Sequence, residues 1–374
     1  MDQIKSLRSP NINAQIIQQQ HFIRYKDLYT FLRKHHEILA EEIGQAYMNT
    51  MRWYYLHHFT RYDKALSRVK IHTIDKHDTL GSEAAGGAQR TSMLSGAKSN
   101  GPPHDAFNLG RRNDALLHPT QNAVPSHLAE DDKATHYLEF PFRNYNLALI
   151  DNLSAEYSFL TTFFSPALSM HAIARYFTYI FQPTFDLGLH LTKSLTSETY
   201  DALGLLLCVR LNQKNNFKLQ RARVPVADAY INQTNMALWP RFQQCMDAHC
   251  ESLKALTAKL PGSPPSSKAE LAKQSAAPGQ LTQRFAAFMS GVLELSKETG
   301  DDEPVSSSLA RLRGEVEAYL VKSSKVIGEK RKRERYLENS YSLILTIVGE
   351  GEGKLAGEQR AFWEGLKENV EGGN

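Results

Sequence analysis

The stretch MRWYYLHHFTRY, from Met51 to Tyr62, concentrates residue types that often occur in reactive or binding sites. It holds one tryptophan, four other aromatic residues, two adjacent histidines and two arginines. Imidazoles ligate zinc or transfer protons, and exposed aromatic rings beside arginines stack on nucleic-acid bases. The positions of these side chains on a helix decide between such a site and an ordinary core face.

Helical periodicity assigns most of these aromatic side chains to one face. At about 100° per residue, the apolar positions fall within an arc of roughly 140°, which predicts a core face. His58 lies inside the arc, so it is predicted to be a hydrogen-bonded structural histidine and not a metal ligand. The positions of the arc are Tyr47, Met48, Met51, Tyr54, Tyr55, His58, Phe59, Tyr62, Ala65, Leu66 and Val69.

The other side of the same helix is basic and carries two large apolar residues. Apolar groups of this size outside a core face indicate that another helix or another protein covers them. A solvated basic face that binds nothing is the alternative interpretation. The candidate partner-binding residues of this side are Trp53, Leu56, His57, Arg61, Lys64 and Arg68.

The run EKRKRERY, Glu329–Tyr336, is a marked cluster of charge. It interrupts the apolar stripe of a long helix predicted from about Ser308 to Val348. Three interpretations stay open: a solvated turn of that helix, a site for an acidic protein or an anionic lipid, and a nuclear import signal or nucleic-acid patch. The candidate binding residues of the run are Lys330, Arg331, Lys332 and Arg333.

Motif searches give no support to catalysis or to a metal centre. The sequence contains no G-x-G-x-x-G, G-x-S-x-G or H-E-x-x-H motif, and no two of its histidines are four residues apart. Cys208, Cys245 and Cys250 lack the spacing of a zinc set, which predicts three reduced, buried thiols. We therefore predict no catalytic, cofactor-binding or metal-binding residue.

Composition and periodicity predict an all-α protein. Helical spacing of apolar residues dominates the 374 residues, and a net charge of +4 is too small to indicate a nucleic-acid partner. No apolar run approaches the ~20 residues that a membrane crossing requires. The N-terminus also lacks the apolar core of a secretory signal, so we expect a cytoplasmic protein.

The predicted organisation is a series of helical segments separated by polar connections. In the middle segment, Ser165 and either Thr196 or Ser197 are predicted to cap helix N-termini. A stripe from Tyr145 to Phe164 is predicted to face the core. The segments are an N-terminal helical segment (1–76), a disordered loop (77–134), a middle helical bundle (135–260), a flexible linker (261–280), a C-terminal helical bundle (281–348) and a flexible acidic tail (349–374).

Several sequence segments occur in the order found in a known family. They are INAQIIQQQHFIRYKDLYTFL, EEIGQAYMNTMRWYYLHHF, FPFRNYNLALIDNLSAEYSFLTTFF, LWPRF, LTQRFAAF, LRGEVEAYL and NSYSLIL. In these segments and their spacing, from about Ile12 to Val348, the chain resembles the vacuolar protein sorting-associated protein 52 family. That family supplies a subunit of the Golgi-associated retrograde protein (GARP) complex.

The resemblance implies an elongated rod of stacked helical bundles, of the tethering class called CATCHR, with a long disordered insertion. It implies non-catalytic, cofactor-free tethering of endosome-derived vesicles at the trans-Golgi network. The implied partners are other GARP subunits, a Rab-family small GTPase and SNARE proteins, and the implied location is peripheral, on trans-Golgi network and endosome membranes. Family members begin with a coiled-coil region, and this chain is expected to start after it. A nuclear or nucleic-acid-binding helical protein that uses residues 329–336 is the alternative.

Overall fold

The computed structural model describes residues 2–9, 12–82, 105–117, 121–265, 267, 274–298, 303–349 and 351–372. Over these residues the chain is built of α-helices, and its β-structure is one parallel pair of two-residue strands. The predicted all-α fold class is confirmed. Among the described helices, none has the combination of length and apolar composition that crossing a membrane demands.

The helices and strands are numbered here in chain order. The α-helices are α1 (Asp2–Ser6), α2 (Ala14–Gln20), α3 (Lys26–His35), α4 (Glu37–Leu66), α5 (Asp114–Leu117), α6 (Ser126–Asp131), α7 (Glu139–Phe164), α8 (Met170–Thr196), α9 (Ala202–Arg221), α10 (Asp228–Lys259), α11 (Gln280–Leu295), α12 (Glu303–Lys325), α13 (Lys330–Val348) and α14 (Lys354–Gly372). The strands are β1 (Lys70–Ile71) and β2 (Thr135–His136). Short 3-10 helices form at Phe22–Tyr25, Lys76–Asp78, Gly110–Asn113 and Pro225–Ala227.

The chain divides into two compact units, and each unit is assembled from separate stretches of sequence. The first unit comprises 1–71, 118–197 and 208–238. The second unit comprises 72–117, 198–207 and 239–374. The segments predicted from the sequence were continuous, whereas helices α9 and α10 each contribute residues to both units.

The core of the first unit is formed by α4, α7 and α8 and is rich in aromatic side chains. Helix α4 meets α7 through Phe59 and Tyr145, whose ring centroids are 5.3 Å apart. It meets α8 through Tyr55 and Phe181, whose centroids are 4.4 Å apart. The stripe predicted on α7 is buried, as expected, at Tyr145, Leu149, Leu153, Tyr157, Leu160, Phe163 and Phe164.

Gly188 allows helix α8 to lie very close to two tyrosines. A Cβ atom at this position would be 2.6 Å from the Tyr230 hydroxyl and 2.7 Å from a ring carbon of Tyr145. The Tyr230 hydroxyl donates to Oδ1 of Asn146 at 2.6 Å, and the Tyr145 hydroxyl donates to the carbonyl of Thr184 at 3.0 Å. Because both rings are held by these hydrogen bonds, the packing requires glycine.

A buried carboxylate also joins the helices of the first unit. Glu156 of α7 accepts hydrogen bonds from Nε2 of Gln18 at 2.7 Å and from the hydroxyls of Tyr47 and Tyr55 at 2.6 and 2.9 Å. Burial raises the pKa of the Glu156 carboxyl, and the three hydrogen bonds act against that rise. Since the donors lie on α2 and α4, one side chain links three helices.

Helix α8 begins at a different residue from the one predicted. Ser165 ends α7, and the side chain of Ser169 caps α8 by accepting a hydrogen bond from the Ala172 amide at 3.3 Å. Helix α7 extends to Phe164 because its apolar face continues to that residue, which moves the cap four residues along the chain.

A buried ion pair holds the start of α9 in the second unit. The Arg112 guanidinium donates to both carboxylate oxygens of Asp201, at 3.1 and 2.6 Å, and both side chains are buried. Asp201 also accepts a hydrogen bond from the Gly204 amide at 2.9 Å, so it caps α9 in place of the predicted Thr196 or Ser197.

The predicted disordered loop over 77–134 is wrong for the part that the structure describes. Residues 105–117 and 121–134 contain short helices. Several of their apolar side chains are buried, and that burial offsets the cost of ordering the segment. Residues 83–104 and 118–120 of the loop lie outside the described residues. The buried apolar side chains of the described part include Leu80, Phe107, Leu109 and Leu116.

Helix α14 occupies most of the segment predicted to be a flexible acidic tail, 349–374. Its Trp363 is fully buried, and the rings of Phe285 on α11 and Tyr341 on α13 each have their centroid 5.7 Å from that of Trp363. Ala356 and Trp363 are seven residues apart and therefore share the buried face. The segment contains an apolar stripe among its acidic residues. The sequence prediction considered the charges and missed this stripe.

The long helix predicted from 308 to 348 is divided by a turn into α12 and α13. The turn contains Gly328, whose amide donates to Oε1 of Gln274 at 3.0 Å. Nε2 of Gln274 donates to the Val326 carbonyl at 2.9 Å, so the same side chain satisfies both a donor and an acceptor that the interrupted helix leaves free.

The predicted linker over 261–280 is described only in part, because residues 266 and 268–273 lie outside the described residues. Its described residues before α11 are irregular. The end of the linker is held to α13, since Nδ2 of Asn339 donates to the Ala276 carbonyl at 2.9 Å.

Candidate partner-binding surface

Helix α4 carries the aromatic and basic residues from which the sequence predicted a binding surface. Its core face is largely as predicted. Tyr54 is only half-buried, and its hydroxyl donates to the Ile12 carbonyl at 3.2 Å. The buried positions of the predicted arc are Tyr47, Met48, Met51, Tyr55, Phe59, Tyr62, Ala65, Leu66 and Val69.

His58 is the position at which the predicted core face is wrong, because its side chain is exposed. Here α4 faces Ala148 and Asn152 of α7, and their small side chains leave a cavity of about 330 Å³ that His58 lines. The imidazole rests against the Tyr54 ring, with centroids 4.3 Å apart. Partial burial, His57 and Arg61 all lower the pKa of His58, which favours the neutral ring.

Trp53 and His57 form an exposed stack on the outer side of α4. Trp53 is 41% exposed, and its ring lies 5.0 Å from the His57 ring at an interplanar angle of 11°. The two residues are four apart, the spacing at which side chains of a helix meet. Leu56, the third predicted member of this side, is half-buried. A large amphipathic ring held in one orientation loses little side-chain entropy when a partner covers it.

The predicted cations of this side, Arg61, Lys64 and Arg68, are all exposed. Arg68 lies 3.6 Å from a carboxylate oxygen of Glu130, and both groups are substantially open to solvent. Such a pair contributes little to stability. Arg61 and Lys64 form no ion pair with a described residue, so their charge is available to a partner.

Helix α8 adds an exposed tyrosine that the sequence did not identify. The Arg52 guanidinium lies 4.7 Å from the centroid of the Tyr179 ring, and its Nη1 donates to the Tyr179 carbonyl at 2.6 Å. The Tyr179 hydroxyl donates to Oδ1 of Asn49 at 2.8 Å, and 41% of the residue is exposed. We call Asn49, Arg52, Trp53, His57 and Tyr179 the α4–α8 surface. Exposed aromatic residues beside an arginine are typical of the residues that dominate protein interfaces.

The predicted basic run lies in the other unit, at the first turn of α13, and most of its cations have local partners. Arg333 donates to the carbonyls of Ile327 and Gly328, where α12 has ended. Lys330 lies 3.5 Å from Glu334. Lys332 lies 3.4 Å from Glu329, and Arg331 is exposed. Arg333 thus has a structural role at the end of α12, whereas the two lysine pairs are open to solvent. The nucleic-acid alternative gains no observation in its favour.

The buried groups that could do chemistry are held in unreactive forms. Burial raises the pKa of the Cys245 thiol to about 12 and that of Cys250 to about 11, and all three cysteines are buried thiols outside any disulfide. Burial lowers the pKa of His249 to about 4, and its Nδ1 accepts a hydrogen bond from the Leu80 amide at 3.2 Å. Within the described ranges, no three His, Cys, Asp or Glu side chains are grouped as metal ligands would be.

Comparison with known proteins gives a consistent family match. A family profile described as "Vps52, C-terminal" matches residues 49–372. The chain is similar to vacuolar protein sorting-associated protein 52 of Schizosaccharomyces pombe, with 32% identity over 98% of this chain and 69% of that protein. Identity to the Saccharomyces cerevisiae protein of the same name is 32%, over 92% of this chain and 58% of that protein. Identity to the Homo sapiens homolog is 26%, over 94% of this chain and 46% of that protein. The chain thus spans between about half and about two thirds of the length of these relatives.

Proposed function

The chain belongs to the vacuolar protein sorting-associated protein 52 family, and from this membership we propose that it is a non-catalytic subunit of the GARP vesicle-tethering complex. In this role it acts in retrograde transport from endosomes to the trans-Golgi network. The observation that carries the proposal is the family match over residues 49–372. The helical framework and the inert state of the buried thiols agree with work done by surfaces and not by a reaction.

The partners in this proposal are other GARP subunits, a Rab-family small GTPase and SNARE proteins. Contact with them holds the chain as a peripheral protein on trans-Golgi network and endosome membranes. The α4–α8 surface, with the neighbouring Arg61, Lys64 and Arg68, is our candidate for one of these contacts. Its support is the exposed stack of Trp53 on His57 and the cations that have no strong partner among the described residues.

A chimeric protein tests the proposal directly. The region of the Schizosaccharomyces pombe relative that matches this chain is replaced by the chain, in cells lacking the native protein. We expect the chimera to co-purify with the other GARP subunits and to restore the sorting of vacuolar proteins. A well-expressed chimera that does neither would exclude the proposed function.

The surface assignment has its own test in a pull-down with a GTP-loaded Rab protein and with SNARE proteins. We expect Trp53→Ala with Tyr179→Ala to weaken at least one of these interactions about tenfold or more, as loss of aromatic anchors does. Met236→Ala is the matched control, because Met236 is 75% exposed on α10 and lies outside the α4–α8 surface. Equal binding by the double variant and the control would remove the α4–α8 surface as a binding site while leaving the tethering role intact.

A further inference from the structure

The connection between α9 and α10 concentrates positive charge beside an exposed aromatic ring. Residues 213–227, QKNNFKLQRARVPVA, contain four cations and no carboxylate. Phe217 is 64% exposed. Arg221 and Arg223 are exposed and form no ion pair with any residue that the structure describes. Lys218 is half-buried, and its charge acts on the Asp151 carboxyl, where it opposes the rise in pKa that burial causes. An aromatic side chain and two cations without an ion pair among the described residues are therefore open to solvent together.

Helix geometry brings these side chains to the same region of the surface. Phe217 and Arg221 are four residues apart on α9 and so lie on one face of the helix. Lys218 is adjacent to Phe217, and Arg223 follows two residues after Arg221, in the turn. We call Phe217, Lys218, Arg221 and Arg223 the α9–α10 turn surface.

The backbone at Arg223 gives a second, independent observation. Its φ is 56°, in the left-handed region that favours glycine. The Arg223 amide donates to the Gln220 carbonyl and the Val224 amide donates to the Leu219 carbonyl, both at 3.0 Å, which is the helix ending that usually contains glycine. Arginine is less favourable than glycine in this conformation. A function that needs the Arg223 side chain would explain why the strain is tolerated.

We propose that the α9–α10 turn surface binds directly to an anionic phospholipid bilayer. The ring of Phe217 enters the boundary between headgroups and acyl chains, and the three cations lie among the anionic headgroups. This combination of a large apolar side chain with basic residues is the chemistry of interfacial membrane binding. A bilayer needs no matching pocket around the ring, whereas an acidic protein helix would bury its side chains in a groove.

This inference goes beyond the proposed function, which brings the chain to membranes through partner proteins. It concerns contact with lipid alone and does not depend on GARP assembly. The two can therefore fail separately, since vesicle binding is measured with purified protein and without any partner.

Vesicle co-sedimentation of the full chain is the test. Vesicles of phosphatidylcholine alone are compared with vesicles of phosphatidylcholine and phosphatidylserine in a seven-to-three ratio, over a series of NaCl concentrations. We expect binding to the phosphatidylserine vesicles that falls as salt rises, and at least about tenfold weaker binding without phosphatidylserine. Equal binding to both vesicle types, or to neither, would overturn the proposal.

Two variants and two matched controls locate the binding. Phe217→Asp and the double variant Arg221→Glu with Arg223→Glu are each expected to lose about tenfold in vesicle binding. Met236→Asp alters another highly exposed apolar residue of the same unit, and Lys330→Glu with Arg331→Glu makes the same change in net charge elsewhere. Both controls are expected to bind within about twofold of the unchanged chain. All six altered positions are exposed, and circular dichroism melting curves check that each protein is folded.

The remaining outcomes are also decisive. If Lys330→Glu with Arg331→Glu loses as much binding as Arg221→Glu with Arg223→Glu, overall charge or the basic run accounts for the interaction and the proposal is wrong. If soluble poly-glutamate binds the unchanged chain but phosphatidylserine vesicles do not, the surface recognises an acidic protein instead. Loss in the two turn variants alone supports the assignment.

Discussion

The hydroxyl of Tyr47 lies 2.6 Å from a carboxylate oxygen of Glu156, and both side chains are buried within the first unit. Nε2 of Gln18 contacts the two groups at once, at 2.7 Å from the Tyr47 hydroxyl and 2.7 Å from the other Glu156 oxygen. Burial holds the pKa of Tyr47 well above its usual range, with the Glu156 charge adding to the effect, so the phenol stays a donor. The buried Glu156 carboxyl is thus held by three neutral donors.

Removal of this carboxylate is expected to destabilise the first unit strongly. Glu156→Ala leaves the hydroxyls of Tyr47 and Tyr55 as buried donors without their acceptor, leaves Gln18 only the Tyr47 hydroxyl, and opens a cavity. We expect the free energy of unfolding to fall by about 3–5 kcal/mol, measured by urea denaturation. Glu42→Ala, at an exposed position of α4, is the control and is expected to change it by less than about 0.5 kcal/mol. Similar losses in both variants would show that the three hydrogen bonds contribute little.

A pair of glycine substitutions with opposite expected signs tests the close approach of α8. Gly188→Ala inserts a methyl group 2.6 Å from the Tyr230 hydroxyl, and we expect a loss of about 1–3 kcal/mol. Gly314→Ala, on the exposed side of α12, meets nothing within 4 Å and is expected to stabilise the chain by up to about 1 kcal/mol. Thermal denaturation of both variants gives the comparison. Stabilisation by Gly188→Ala would mean that the tyrosines can move away.

Stability is expected to fall in mild acid because of His249. The pKa of this buried ring is lowered to about 4 from 6.5, so between these values the unfolded chain binds a proton that the folded chain does not. Its contribution is therefore present above pH 6.5 and is lost as pH falls towards 4, with a loss of about 2 kcal/mol between pH 7 and pH 5. Urea denaturation at the two pH values measures it.

The control for this pH dependence is a histidine substitution in the same unit. His249→Gln should reduce the stability loss between pH 7 and pH 5, whereas His77→Gln, at an exposed position, should leave the loss unchanged. An identical pH dependence in all three proteins would assign the acid sensitivity to other groups.

Charge reversal beside the α4–α8 surface is expected to separate binding from folding. Arg61→Glu with Arg68→Glu removes only the weak Arg68–Glu130 pair, so we expect the free energy of unfolding to change by less than about 0.5 kcal/mol. If a partner binds here, it should associate more slowly with the double variant than with the unchanged chain, and the rate should depend less on salt concentration. Surface plasmon resonance at several salt concentrations measures the rate. A large drop in melting temperature would instead show that these arginines support the fold.

Helical periodicity predicted the parts of the fold in which one neighbour covers one face over many residues. On α7 the apolar stripe between Tyr145 and Phe164 is buried because the facing helices run alongside it. The same pattern failed at His58, where Ala148 and Asn152 leave a cavity. Periodicity identifies a face, but the size of the side chains opposite decides whether a given position on it is covered.

Contacts between distant residues explain most of what the sequence did not reveal. Arg112 and Asp201 are 89 positions apart, so a polar segment predicted to be disordered carried no visible sign of its partner. The candidate site likewise combines residues found from local spacing with one that only tertiary packing adds. Trp53 and His57 were identified from their spacing on one helix, whereas Tyr179 joins them only because α8 packs beside α4.

The burial of all three cysteines has a practical consequence. A maleimide dye or a nitroxide spin label will react at a newly introduced surface cysteine and leave the native thiols untouched. Pairs of such labels, one in each unit, would allow distances between the units to be followed in solution without first replacing any native residue.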